Sequence, residues 1–134
     1  MLKTEDIKEL LGIVEVSQIS SFVDLLLTKN TKEAIISLNK MIDSGVDLQE
    51  FCKTLIFYVR QCLLSKINDN FLTVQNSGFS FEEIEKIKNQ TTNLTEKSIQ
   101  KILESFIEAE NKMKYNSTPQ LPLELAIIDI TLSL

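Results

Sequence analysis

The stretch from Gly45 to Arg60 reads G-V-D-L-Q-E-F-C-K-T-L-I-F-Y-V-R, and it decides the fold class. Asp47 has Glu50 three residues after it. That is the spacing of a capped helix start, with Asp in the place usually held by Ser or Thr. The helix so opened is expected to run to about Ile67. At about 100° per residue, Phe51, Cys52, Leu55, Ile56, Val59, Cys62 and Leu63 share one broad face. Apolar residues recurring at this period predict an amphipathic helix. Phe57 and Leu64 fall on the far side, seven residues apart, beside Lys53, Arg60 and Gln61.

The same periodicity extends in both directions. Upstream, a helix is expected over about Thr4 to Leu11, with Thr4 as its cap, Glu5 and Asp6 in its first turn and Gly12 just past its end. A helix over about Ser17 to Lys29 places Ile19, Phe22, Val23 and Leu26 inward, and another capped by Thr31 runs to Ser44 with Ala34, Ile35, Leu38, Met41 and Ile42 inward. Gly45 ends it. Downstream, residues 68–79 read as a loop, and Ser80 with Glu83 makes a capping box for a short helix to about Asn89. Thr95 opens a long helix to about Tyr115, striped by Ile99, Ile102, Leu103, Phe106, Ala109 and Met113. A turn over 116–121 leads to a last helix starting at Pro122. There proline suits the first helical position and pushes Leu121 out of the α region, and Glu124 falls at the third position as a helix-start residue. No stretch alternates cleanly enough for a strand. The expectation is an all-α protein, a compact bundle of about six to seven helices forming a single domain over residues 1–134.

Composition narrows the function. A net charge of −5, with basic residues scattered singly among acids, argues against a nucleic-acid surface, which needs clustered Lys and Arg. The absence of histidine removes the commonest general base and metal ligand. No G-x-x-x-x-G-K-[ST] or G-x-G-x-x-G phosphate-binding pattern is present. Cys52 and Cys62 would lie about 15 Å apart along one helix, too far for a disulfide; they read as buried thiols of a reducing compartment. The groups Glu82, Glu83, Glu85 and Glu104, Glu108, Glu110 read as solvated faces and dipole-matched first turns. The sequons at Asn89, Asn93 and Asn116 read as chance matches, since residues 1–11 carry no secretory signal. No apolar run approaches the roughly 20 residues of a membrane span. The reading is a cytoplasmic protein with no catalytic site, cofactor, metal, membrane or small-molecule substrate.

What remains is surplus apolar surface. The Phe57/Leu64 pair, rimmed by Arg60 and Gln61, has no use in a helix buried on one side. In the last helix Leu123, Ala126, Ile127, Ile130 and Leu134 line one face, while Leu125, Ile128 and Leu132 line another. A helix apolar on two faces is either central to its bundle or covered on two sides. Phe57, Arg60, Gln61, Leu64, Leu125, Ile128 and Leu132 are therefore the candidate protein–protein surface. Changing Phe57 and Leu64 to Ser is expected to cost no more than about 1 kcal/mol if both are exposed.

Three stretches carry a family resemblance: T-E-D-I-K-E-L-L-G-I-V from Thr4 to Val14, the Gly45–Arg60 segment, and P-Q-L-P-L-E-L-A-I-I-D-I from Pro119 to Ile130. In this order they resemble domain III, the collar domain, of the gamma/tau subunit of bacterial DNA polymerase III. The last is similar to the family's P-x-L-x-L-E pattern. Glu15 stands where the family often has Asp, Gln120 where Arg is common, and Pro122 interrupts the motif. The resemblance implies a collar fold. It implies a structural role in a clamp loader, where collar domains of several subunits pack into a ring that holds their ATPase modules for sliding-clamp loading. Partners would be the collar domains of other subunits or further copies of this chain, and the ATPase domains, zinc module and polymerase-binding tail would lie outside this chain. The alternative is a free-standing helical adaptor that binds a partner helix or peptide.

The chain is expected to show no tight ATP binding in a calorimetric titration and no specific DNA binding. Duplex affinity that weakens steeply with salt would contradict the second expectation.

Overall fold

The computed structural model describes residues 14–133. Seven α-helices appear there: α1 (Val16–Leu27), α2 (Thr31–Asp43), α3 (Leu48–Ile67), α4 (Val74–Ser77), α5 (Phe81–Thr91), α6 (Glu96–Met113) and α7 (Gln120–Ser133). A 3-10 turn, Asp69–Phe71, joins α3 to α4, and no strand is present among the described residues. The protein is thus all-α. The helix expected over Thr4–Leu11 lies outside the described residues.

Local chemistry starts and stops these helices. Asp47 Oδ1 accepts the Glu50 N–H at 3.0 Å, while the Glu50 carboxylate turns to Lys53 at 3.7 Å; the first half of the expected box forms. Ser80 and Glu83 form both halves, at 3.2 and 2.8 Å. Thr95 caps α6 through the Ser98 N–H at 3.1 Å. The cap of α2 is Asn30, which accepts the Glu33 N–H at 3.3 Å, so Thr31 is the first helical residue and not the cap. Past α2, Gly45 takes φ of 93°, and the Val46 N–H returns to the Met41 carbonyl at 3.0 Å. This left-handed exit satisfies carbonyls the helix would leave free. Lys29 does the same for α1 at φ of 60°.

Two further expectations need correction. Residues 68–79 are not an open loop: the 3-10 turn and α4 occupy most of them, because Thr73 and Asn76 bond reciprocally at 3.3 and 2.9 Å and Leu72 and Phe79 are buried. The last helix begins at Gln120, two residues before Pro122. Proline inside the first turn removes an N–H that has no intrahelical partner there, so it does not expel Leu121. Glu124 accordingly falls at the fifth helical position, beyond reach of the cap.

The core forms where four helices meet. α6 packs on α3 along one side and on α7 along the other, while α1 touches both α3 and α7 from the opposite side. α3 and α7 therefore sit diagonally across the core. α2 covers α1 and α7, and α5 covers α3 and α1. The inward stripes are those the periodicity predicts: Ile19, Phe22, Val23 and Leu26 on α1, and Ile99, Ile102, Phe106, Ala109 and Met113 on α6, are all buried. Ile35, Ile42 and Leu103 pack at the margin. Phe22 and Phe51 meet edge to face at 5.2 Å. Each large side chain so buried contributes roughly 1.5–3 kcal/mol.

Both cysteines lie in this core. The Cys52 thiol faces the Phe106 carbonyl at 3.6 Å. Burial, aided by the charge of Glu110, pushes Cys52 up to about 12, and burial does the same to Cys62. In the unfolded chain thiols ionise near 9.0. Between these values the unfolded state binds fewer protons than the folded one, so stability falls as pH rises through that window. The unfolding midpoint is expected to decline above about pH 9, and the decline to be shallower in Cys62→Ala. Equal slopes in the two proteins, measured by chemical denaturation, would contradict this assignment.

Candidate interaction surface

A polar network sets the rotation of α3 about its axis. The Tyr58 hydroxyl bonds to the Gln90 side-chain oxygen and lies 3.3 Å from Ser20 Oγ. Gln90 Nε2 donates to the Ser20 carbonyl at 3.0 Å and to Asp24 Oδ1 at 2.9 Å, and Lys86 pairs with Asp24 Oδ2 at 2.7 Å. Burial raises the Tyr58 pKa above its ordinary value, so the phenol stays protonated at neutral pH. Three helices, α1, α3 and α5, are tied at this point. With Tyr58 turned inward, its neighbour Phe57 falls on the exposed side.

Phe57 is 43% exposed, with its ring edge against Phe79 at 5.8 Å. Arg60 is exposed and makes no ion pair among the described residues. Leu64 is half-buried. Ile67, at the helix end, is exposed and extends the same stripe. Gln61 departs from expectation: it is buried. It lies roughly 40° from Ser65 on the helix surface, which is buried too. Lys66 ties α3 to the end of α5, donating to the Thr91 and Thr92 carbonyls at 3.0 and 3.3 Å. The outer face of α3 is thus Lys53, Phe57, Arg60, Leu64 and Ile67, opposite Leu55 and Cys62.

On α7, Leu123, Ala126, Ile127 and Ile130 are buried, and the Thr131 hydroxyl meets that of Thr31 on α2 at 2.7 Å. Leu125 and Leu132 are 58% and 77% exposed, and Ile128 stands at the margin of exposure. Leu121 joins them, exposed, because the helix starts earlier than the proline suggested. Leu121, Leu125, Ile128 and Leu132 are spaced four, three and four apart, the rhythm of a seam that packs against another helix. Glu124 borders the seam on one side and Asp129 on the other, and α7 contains no basic residue. Beside it, a crevice of about 180 Å³ between α6 and α7 is lined by Pro122, Leu125, Ala126, Asp129, Ala109 and Glu108, among others.

Two apolar faces therefore point away from the core on diagonal helices: one carries basic groups, the other acidic borders. Among the described residues no cluster of His, Cys, Asp or Glu could hold a metal, and no helix is long and apolar enough to cross a membrane.

The family model for DNA polymerase III subunits gamma and tau domain III matches residues 2–133. The chain belongs to this family. It is also 29% identical over 130 residues to the DNA polymerase III subunit tau of Bacillus subtilis (strain 168). That alignment takes in 97% of this chain and 23% of the relative, so this domain III chain spans less than a quarter of the protein it matches.

The exposures yield a stability contrast. Leu125→Ser with Leu132→Ser is expected to change unfolding free energy by less than about 1 kcal/mol. Ile127→Ala, on the buried face of the same helix, should cost about 2–5 kcal/mol. Phe57→Ser with Leu64→Ser should fall between them, at about 1–3 kcal/mol, because the Phe57–Phe79 ring contact is lost. Denaturant titration of the four proteins checks the order; a core-like loss for the Leu125/Leu132 pair would show that this seam is not a free surface.

Proposed function

We propose that this chain is the collar part of a DNA polymerase III clamp loader, an oligomerisation domain that packs with the collar domains of other subunits. In this reading it holds ATPase modules, carried elsewhere in the subunits, in a ring for sliding-clamp loading in the cytoplasm. It performs no catalysis, and it touches neither nucleic acid nor a small-molecule substrate itself. The observation that carries the reading is the family match over nearly the whole chain, joined to an outward seam on α7 that folding leaves uncovered. A ring built from head-to-tail contacts needs two unlike surfaces on each member, and α3 and α7 offer two unlike faces.

The heptad-like seam by itself also suits a free-standing adaptor that grips one partner helix. The readings separate by experiment. The chain is mixed with the collar domains of the other clamp-loader subunits from its own source, and separately concentrated alone, with assembly followed by sedimentation velocity. The collar reading expects complexes with at least one of these partners, weakened in Leu125→Ser/Leu132→Ser, whose fold is expected to be retained because both residues are exposed. A chain that stays monomeric in every mixture, yet captures isolated amphipathic helices, would replace the collar with the adaptor.

A further inference from the structure

Residues 69–79 are held to the rest of the molecule by side-chain packing alone. Among the described residues, each hydrogen bond they make closes within 68–79. The Phe71 and Leu72 N–H groups donate to the Asn68 and Asp69 carbonyls, Thr73 and Asn76 bond each other, and the Phe79 N–H donates to Ser77 Oγ at 3.1 Å. No ion pair involves them. Of their large apolar side chains, Leu72 and Phe79 are buried, while Phe71 and Val74 are exposed. Both ends are fixed: the Asn68 N–H donates to the Leu64 carbonyl at 3.0 Å, and Ser80 caps α5.

These ends define a path. The stretch leaves α3 at Asn68, and Phe79 comes back to α3 with its ring 5.8 Å from Phe57 and 6.2 Å from Tyr58. It therefore runs back along α3 for about 15 Å, at 1.5 Å per residue. Gln61 and Ser65 fall on that line. Around the helix, Gln61 is about 40° from Phe57 and about 60° from Tyr58, and Ser65 is about 20° from Tyr58. Both are only 5% exposed, yet neither side chain has a hydrogen-bond partner among the described residues. No wholly occluded polar atom is left unpaired, so the tips of both just reach water. Covering such groups sacrifices part of their hydration with no bond in return, and lifting the cover restores it.

We propose that residues 69–79 form a strap over the Gln61–Ser65 flank of α3, that the strap opens while the helical core stays folded, and that the Phe57–Phe79 ring pair is its latch. Segments held by few buried apolar contacts are the ones that open locally. Gly78, left-handed at φ of 76°, gives the strap a turn beside the latch that other residues disfavour. Closed, the strap backs Phe57 with the Phe79 ring. Open, Phe57 loses that partner, and the Gln61 amide and Ser65 hydroxyl reach water beside it. The flank of α3 next to Phe57 thus has two states, one apolar and one able to give and accept hydrogen bonds.

Thiol labelling of the native protein tests this. Ser65→Cys places a thiol under the strap, and Cys52 and Cys62, both buried, are references within the same chain. A small alkylating reagent is added without denaturant, and mass spectrometry follows each site. The Ser65→Cys thiol is expected to react about 100-fold or more faster than either reference. Adding Leu72→Ala should speed it about thirtyfold or more, and adding Phe57→Ala about two- to tenfold. Adding Ile127→Ala, in the core on α7, should speed the references and leave the Ser65→Cys rate unchanged. A Ser65→Cys rate equal to the references, or raised with them by Ile127→Ala, means that the site opens only by global unfolding and overturns the strap. A rate indifferent to Leu72→Ala means that the thiol is reached in the closed form, which also overturns it. Indifference to Phe57→Ala removes the latch. Gln61→Cys, on the same flank, carries the test if Ser65→Cys does not fold.

Discussion

Everything in this molecule turns on α6 being clasped between α3 and α7. Its stripe of Ile99, Ile102, Phe106, Ala109 and Met113 is buried, and Phe106 stands at its middle with the Cys52 thiol against its carbonyl. Once one helix is held by two neighbours along opposite sides, those neighbours cannot merge into one surface. Their inner faces are committed to a shared core closed by α1, and their outer faces diverge. The Tyr58–Gln90–Asp24–Lys86 network then sets which residues of α3 are presented. A buried hydroxyl and amide left unpaired would be costly, so the rotation of α3 that satisfies both is strongly preferred, and Phe57 and Arg60 face outward as a result.

Much of the fold was legible because caps and stripes are local. Asp47, Ser80 and Thr95 start their helices by bonding an N–H three residues on, which spacing alone reveals. Gly45 stops α2 because a left-handed exit favours glycine. Ile19, Phe22, Val23 and Leu26 are inward because a 3.6-residue period admits one apolar side. The candidate surface was partly legible for the same reason: an apolar residue opposite the core stripe is exposed unless something else covers it. Phe57, Leu125, Ile128 and Leu132 follow that rule.

What was not legible depends on contacts between elements distant in sequence. Gln61 is polar and sits beside Arg60 in the chain, yet it is buried, and nothing within α3 announces that. Lys66, a residue whose charge suggests solvent, ties α3 to the end of α5 instead. Lys29 exits α1 in a conformation that its side chain disfavours, so no glycine marked that boundary. Pro122 misled about α7 because proline is tolerated within the first helical turn and not only at its first position, and Leu121 was lost from the seam with it. Residues 68–79 look like a loop by composition, but Leu72 and Phe79 are anchored in the core, and the backbone between them curls into short helical turns.

The hydroxyl contact between Thr31 and Thr131 joins residues 100 positions apart, and it has a consequence for the order of assembly during synthesis. Among the described helices α7 is made after the others, and it packs against α1, α2 and α6. Until it emerges, the apolar groups it packs against stay open to water, and the chain holds most of its secondary structure without its final closure. Contacts of such long separation form late, because the intervening chain must first be ordered. A ribosome pausing shortly before Pro119 would therefore hold out a sticky, incomplete bundle, a species prone to aggregation. Emergence of residues 119–133 converts it into the closed form.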